Sequence, residues 1–272
     1  MALVVLLGCW ALLDGWQTLK SANWLLALHV GGLGFGIGTI LLMIGQKLSD
    51  PVTPAIAAAM MPIFGAMLEI AFDGRKLRPL LVLGILLALV GGYLATGVKL
   101  SDSTFGLGAL FCLIAVMLFA WATRANTKNF ADLSPVGQTT VGIAGAFVLC
   151  VVALIISLSL NLGETAIGEY DGFHISLIVY VAIFSISIAQ GLWIWGVGGL
   201  GILVASFHMN AVPFYVMVTV VITLGGEWNW WQAAGAAFVA CGVILAQLAS
   251  RRNWTSDQAN QLVATDVHQF KD

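Results

Sequence analysis

Long apolar runs alternate with short polar breaks along this chain. Eight runs come close to the roughly 20 apolar residues that a bilayer-spanning helix needs. They lie at roughly 24–44, 52–72, 79–97, 105–123, 137–158, 174–197, 202–224 and 232–249. A ninth, MALVVLLGCWALL, opens the chain and stops after thirteen residues, at Asp14. In hydrocarbon a backbone must satisfy its own polar groups, so each run is predicted to be helical. The pattern therefore predicts an all-α polytopic membrane protein of nine membrane helices, the first partial, and no sheet. Gly, Pro, Asp or Asn mark many of the breaks. The longest break, near 161–173, carries Glu164, Glu169 and Asp171, and from residue 250 the chain is a polar tail.

Composition narrows the class. Of 272 residues, 60% are hydrophobic and 9% charged, with a mean hydropathy of +0.98. A soluble domain carries about 25% charged residues, so a water-soluble globule is excluded. The net charge of −2 gives no ground for a nucleic-acid partner. Cys9, Cys112, Cys150 and Cys241 all fall inside apolar runs, without metal-ligand spacing, and are read as reduced thiols. A secretory signal is a poor reading of the opening run: no Lys or Arg precedes it and no small-x-small site follows.

Charge sets the expected direction. With alternating sides, one side receives nine of the eleven Lys and Arg residues, including Arg75, Lys76, Arg78, Arg124, Lys128, Arg251 and Arg252. Cytoplasmic loops retain basic residues. The C-terminus is therefore expected in the cytoplasm, in a plasma (bacterial inner) membrane.

The sequence also repeats. Gly45, Pro62, Gly74, Gly84, Gly91 and Ala95 each have the same residue type 151 positions later, at Gly196, Pro213, Gly225, Gly235, Gly242 and Ala246. Five spans separate each element from its copy, and five is odd, so the copies should run in opposite directions across the bilayer. Inverted repeats of this kind mark secondary transporters. The expected division is a first repeat at 1–97, a five-helix repeat at 104–249 and a cytoplasmic tail at 250–272. The first repeat is expected to lack its first helix, the opening run standing where a second span would end.

One segment, GILVASFHMNAVPFYVMVTVVITLGGEWNWWQAAGAAFVACGVILA, resembles the end of an EamA-type domain of the drug/metabolite transporter superfamily. The shared features are a proline within the helix, the Gly226–Glu227 pair closing it, and Gln232 and Gly235 opening a final helix. Pro54–Gly97 resembles the same module, with Asp73-Gly74-Arg75 where the Gly-Glu pair would fall. The resemblance implies two five-helix units and a secondary transporter, in the exporter sense, of a small metabolite or amphipathic compound. A truncated, non-transporting relative is the alternative, and an intramembrane enzyme is less favoured because no catalytic motif is present.

Polar groups inside spans are costly and point to function. His29, Glu69, His208 and Asn210 lie within about 5 Å of one another in depth, at 1.5 Å per residue from the cytoplasmic span ends. His29, Glu69 and His208 are candidates for proton coupling, although Glu69 could instead snorkel towards Arg75. Ser206 and Asn210 share a helix face, whereas His208 lies about 160° from Asn210 at 100° per residue. Pro62 and Pro213 are candidate hinges, because proline frees a carbonyl in mid-helix. A substrate cavity lined by Gln190, Trp193, Ser206, Asn210 and Phe214 is expected. The glycines of GGLGFGIG (31–38) are spaced for close helix packing rather than for phosphate binding. No metal or cofactor is implied. The expected partners are lipid and a small-molecule substrate, with a homodimer left open.

Overall fold

The computed structural model describes residues 1–49, 52–76, 78–96, 106–160 and 171–248. The 97–104 boundary between repeats, the acidic stretch 161–170 and the tail at 250–272 lie outside the described residues, as do the ends of some predicted runs. Among the described residues, seven helices are long and apolar enough to cross a membrane. In chain order they are α3 (Trp24–Lys47), α4 (Thr53–Asp73), α6 (Leu107–Asn129), α7 (Pro135–Ser159), α8 (Gly172–Leu200), α9 (Ile202–Leu224) and α10 (Trp230–Leu248). Three shorter helices complete the order: α1 (Ala2–Asp14), α2 (Trp16–Ser21) and α5 (Pro79–Thr96). All nine predicted runs are thus helical, with α2 added, and no strand occurs among the described residues.

The ends of the helices follow local chemistry. Ser134 caps α7, its Oγ accepting from the Gly137 N–H at 3.1 Å, with Pro135 in the first turn. Asp171 caps α8, accepting from the His174 N–H at 2.8 Å. Bonds from the His174 backbone and ring to this carboxylate hold its pKa below the ordinary value. Helix α6 runs six residues beyond its apolar stretch, through Arg124 and Lys128 to Asn129. Long basic side chains can cover apolar surface with their stems while the charge reaches polar surroundings.

The chain divides into two compact units. Met1–Leu68 and Leu100–Ala205 form the first. Here α3 packs through glycines: a Cβ on Gly31 would fall 2.3 Å from the Gly142 carbonyl oxygen, and one on Gly145 would fall 2.2 Å from that of Ala27. Only residues without side chains allow backbones so close. Helix α1 is anchored by Trp10, which is fully buried against Gly137 and Trp24. Asp14 at the end of α1 accepts a hydrogen bond from the Ser134 hydroxyl.

Glu69–Lys99 and Ser206–Asp272 form the second unit. Helices α5 and α10 cross closely within it. A Cβ on Gly84 would lie 2.8 Å from the Gly242 oxygen, and one on Gly91 would lie 2.5 Å from the Gly235 oxygen. Residue numbers rise on one helix as they fall on the other, so the pair is antiparallel. A shift of 151 turns the first contact into the second. The turns preceding these helices match as well. Gly74 and Gly225 adopt positive φ, 63° and 66°. The Arg75 N–H donates to the Glu69 oxygen at 3.1 Å, and the Gly226 N–H to the Val220 oxygen at 3.2 Å. In both, a glycine in the left-handed conformation turns the chain back over the helix end, as glycine does without steric cost.

Two irregularities recur at corresponding places. Helices α3 and α8 each contain nine π-helical residues, Leu28–Gly36 and Val181–Ala189. Helices α4 and α9 are each interrupted just before their proline. Met60 N–H donates to Ala57 O, and Ile63 and Phe64 N–H to Met60 O. Ala211 N–H donates to His208 O, and Phe214 and Tyr215 N–H to Ala211 O. These two sets are the same three bonds, 151 residues apart.

Candidate functional site

In the first unit, Phe119, Thr123 and Asn126 recur at helical spacing, i, i+4 and i+7, along one stripe of α6. Trp193 of α8 donates from its Nε1 to the Thr123 Oγ at 3.3 Å. Its ring lies 6.3 Å from that of Phe119, which meets Phe35 edge-on at 5.3 Å. Each such ring pair is worth about 0.5–1.5 kcal/mol beyond the area it buries. Ala122 and Ile194 fill the space beneath them. Asn126 is fully buried, and its Nδ2 donates to the Gln138 carbonyl at 2.7 Å. Gln138 in turn donates from Nε2 to the Leu133 carbonyl at 3.1 Å. Phe35 and Asn126 both border Gly142, where an added Cβ would sit 3.0 Å from the ring and 3.4 Å from the amide nitrogen.

Gln190 and Trp193, two of the five predicted cavity residues, belong to this unit, and both are half-buried. His29 is exposed and meets Trp121 edge-on at 6.4 Å. It lines an open groove of about 580 Å³ with Asn23, Leu25, Leu26, Leu28 and Leu33.

The other predicted residues belong to the second unit, except Pro62, which belongs to the first. Ser206 is fully buried. Asn210 is 3% exposed and turned towards α5: its Nδ2 donates to the Ala88 carbonyl at 3.0 Å, and its side chain lies against Gly92. A Cβ on Gly92 would fall 3.0–3.2 Å from that side chain, so the glycine makes room for it. His208 is exposed, in the last turn before the break, whereas Asn210 lies in the break itself. Phe214 is half-buried, its ring T-shaped to Trp228 at 6.2 Å. Glu69 is 5% exposed and ion-paired with Arg75. Pro62 and Pro213 follow the two interruptions directly.

Thr123 and Asn126 are absent from the sequence-predicted set. The apolar run ends at residue 123, which left Asn126 in the following polar stretch. Its i+3 and i+7 relation to Thr123 and Phe119 was the available signal. Among the described residues no three His, Cys, Asp or Glu side chains gather as a metal site would require.

The elements define an all-α, polytopic membrane protein. The chain belongs to the EamA-like transporter family, whose model matches residues 1–97 and again 106–248. It is 27% identical over 237 residues to the uncharacterized transporter YyaM of Bacillus subtilis (strain 168), a match covering 85% of this chain and 74% of that one. A protein of known crystal structure, 19% identical, shares the fold with a TM-score of 0.75 over 92% of this chain and 85% of its own.

Proposed function

We propose that the chain is a secondary transporter that exports a small metabolite or amphipathic compound by alternating access of two inverted repeats. The observation that carries this reading is the pair of matched interruptions, Met60–Pro62 and Ala211–Pro213, with the same three backbone bonds. A proline cannot return a hydrogen bond to the preceding turn, so each helix keeps a weak point at membrane depth. Broken helices in corresponding places of two repeats are the usual means by which transporters build and move a binding site. Gln190 and Trp193 of the first unit, and Phe214 of the second, are the candidate substrate-facing residues. Ser206 and Asn210 shape the substrate path at the second break, Asn210 by fastening α9 to α5. His29 and His208 are the proton-handling candidates; Glu69 is engaged by Arg75 and steadies the hinge turn. The C-terminus is cytoplasmic and the membrane is a bacterial inner membrane.

The test is transport. Purified protein in proteoliposomes is offered a fractionated metabolite pool, with and without an imposed proton gradient. Accumulation above protein-free vesicles is expected, and Pro62→Ala and Pro213→Ala should each slow it several-fold while leaving the folded yield unchanged. Equal accumulation in protein-free vesicles would remove the transporter reading. Indifference to the gradient would remove the proton coupling alone.

A further inference from the structure

We infer that Asn126 and Thr123, with the rings of Phe35, Phe119 and Trp193, form a binding subsite for a compound carrying an N–H donor beside an apolar or aromatic body. The inference rests on the transporter reading for its purpose and on the geometry of the first unit for its chemistry. Asn126 is fully buried, yet among the described residues its Oδ1 has no hydrogen-bond partner. Exchanging the amide oxygen and nitrogen does not relieve this. Two oxygens 2.7 Å apart would repel, so the amide nitrogen must face the Gln138 carbonyl and the amide oxygen must face away. A buried acceptor left unmatched is destabilising, and a ligand that supplies the donor removes that cost on binding.

The walls indicate what else the ligand carries. Phe119 stands two helical turns before Asn126 on the same stripe, with Phe35 edge-on to it and Trp193 alongside. These rings offer apolar surface and π faces, which favour a flat or aliphatic body and attract a cationic nitrogen. Trp193 is the movable wall. It is half-buried, and its bond to the Thr123 hydroxyl, at 3.3 Å, is long. Swinging it away frees the Thr123 oxygen as a second acceptor beside Asn126. A ligand with two N–H groups would then be held at two points. A carboxylate or phosphate, which only accepts, cannot supply the donor that the Asn126 Oδ1 lacks and leaves it unmatched.

The experiment measures binding by the wild-type protein in detergent and needs no transport. The probes are phenethylamine, its N,N,N-trimethyl counterpart and phenylacetate, followed by calorimetry. The amine is expected to bind at least tenfold more tightly than the trimethyl compound, which keeps the charge and body but has no N–H, and phenylacetate is expected to bind weakest. Asn126→Leu should abolish the preference for the amine. Trp193→Phe keeps a ring and releases Thr123, so it should retain the preference. Equal binding of the amine and the trimethyl compound to wild type, or no binding of either, would overturn the subsite whether or not Asn126→Leu folds. Selective binding without transport would leave the subsite standing and count against the transporter reading.

Discussion

Residue-scale polarity in this chain is sparing and mostly engaged. Glu69 and Arg75 form an ion pair at the end of α4, with side-chain exposures of 7% and 16%. Removing one partner of so enclosed a pair is destabilising, by up to about 3–5 kcal/mol. Glu69→Gln should therefore lower the unfolding temperature in detergent by several degrees, and Glu69→Gln with Arg75→Gln should recover part of the loss. A single variant as stable as wild type would mean that the pair does no structural work. Residue-level reading of the sequence placed His208 and Asn210 about 160° apart on an unbroken helix; one is exposed and the other buried, but the helix is broken after Met209, between them. The partner of Asn210 was not readable, because Ala88 offers only a backbone carbonyl and no side-chain signature.

At the scale of elements, the spans were legible because hydrocarbon permits few alternatives to a helix. Their ends were less so: α6 continues through two basic residues that a hydropathy pattern reads as a boundary. The π-helical stretches are also hard to read. Leu28–Gly36 contains four glycines, whereas Val181–Ala189 contains none, so composition does not mark them. Glycine itself has two meanings here. Gly31 is pressed against α7, while Gly198 has open space where a Cβ would go. Gly31→Ala should sharply reduce the yield of folded protein, by overpacking that typically costs about 1–3 kcal/mol. Gly198→Ala should be tolerated within about 0.5 kcal/mol. Size-exclusion profiles of the two variants decide this, and similar profiles would show that α3 and α7 can separate at little cost.

For the whole molecule, the open question is direction across the bilayer. Nine of eleven basic residues fall on one side of the alternating pattern. A reporter fused after residue 250 should read cytoplasmic, and one inserted near residue 166 should read external. The reverse pattern would discard the charge argument and the depth assignments of His29 and His208 with it.

The crossing of α5 and α10 has a further consequence, for inheritance. Gly84 faces Gly242 and Gly91 faces Gly235, and each contact is the other's image under the 151-residue shift. Contacts of this reciprocal form are those made when one surface meets a copy of itself. Four codons therefore share two constraints, and a change in one half of the chain is felt by the other half. Such positions cannot drift independently after a duplication. Where the first copy has Ala55, Ala57 and Ala59, the second has Ser206, His208 and Asn210, and there the two copies have parted. The ancestry of the chain is written where backbones touch, and its specialisation where side chains are free to differ.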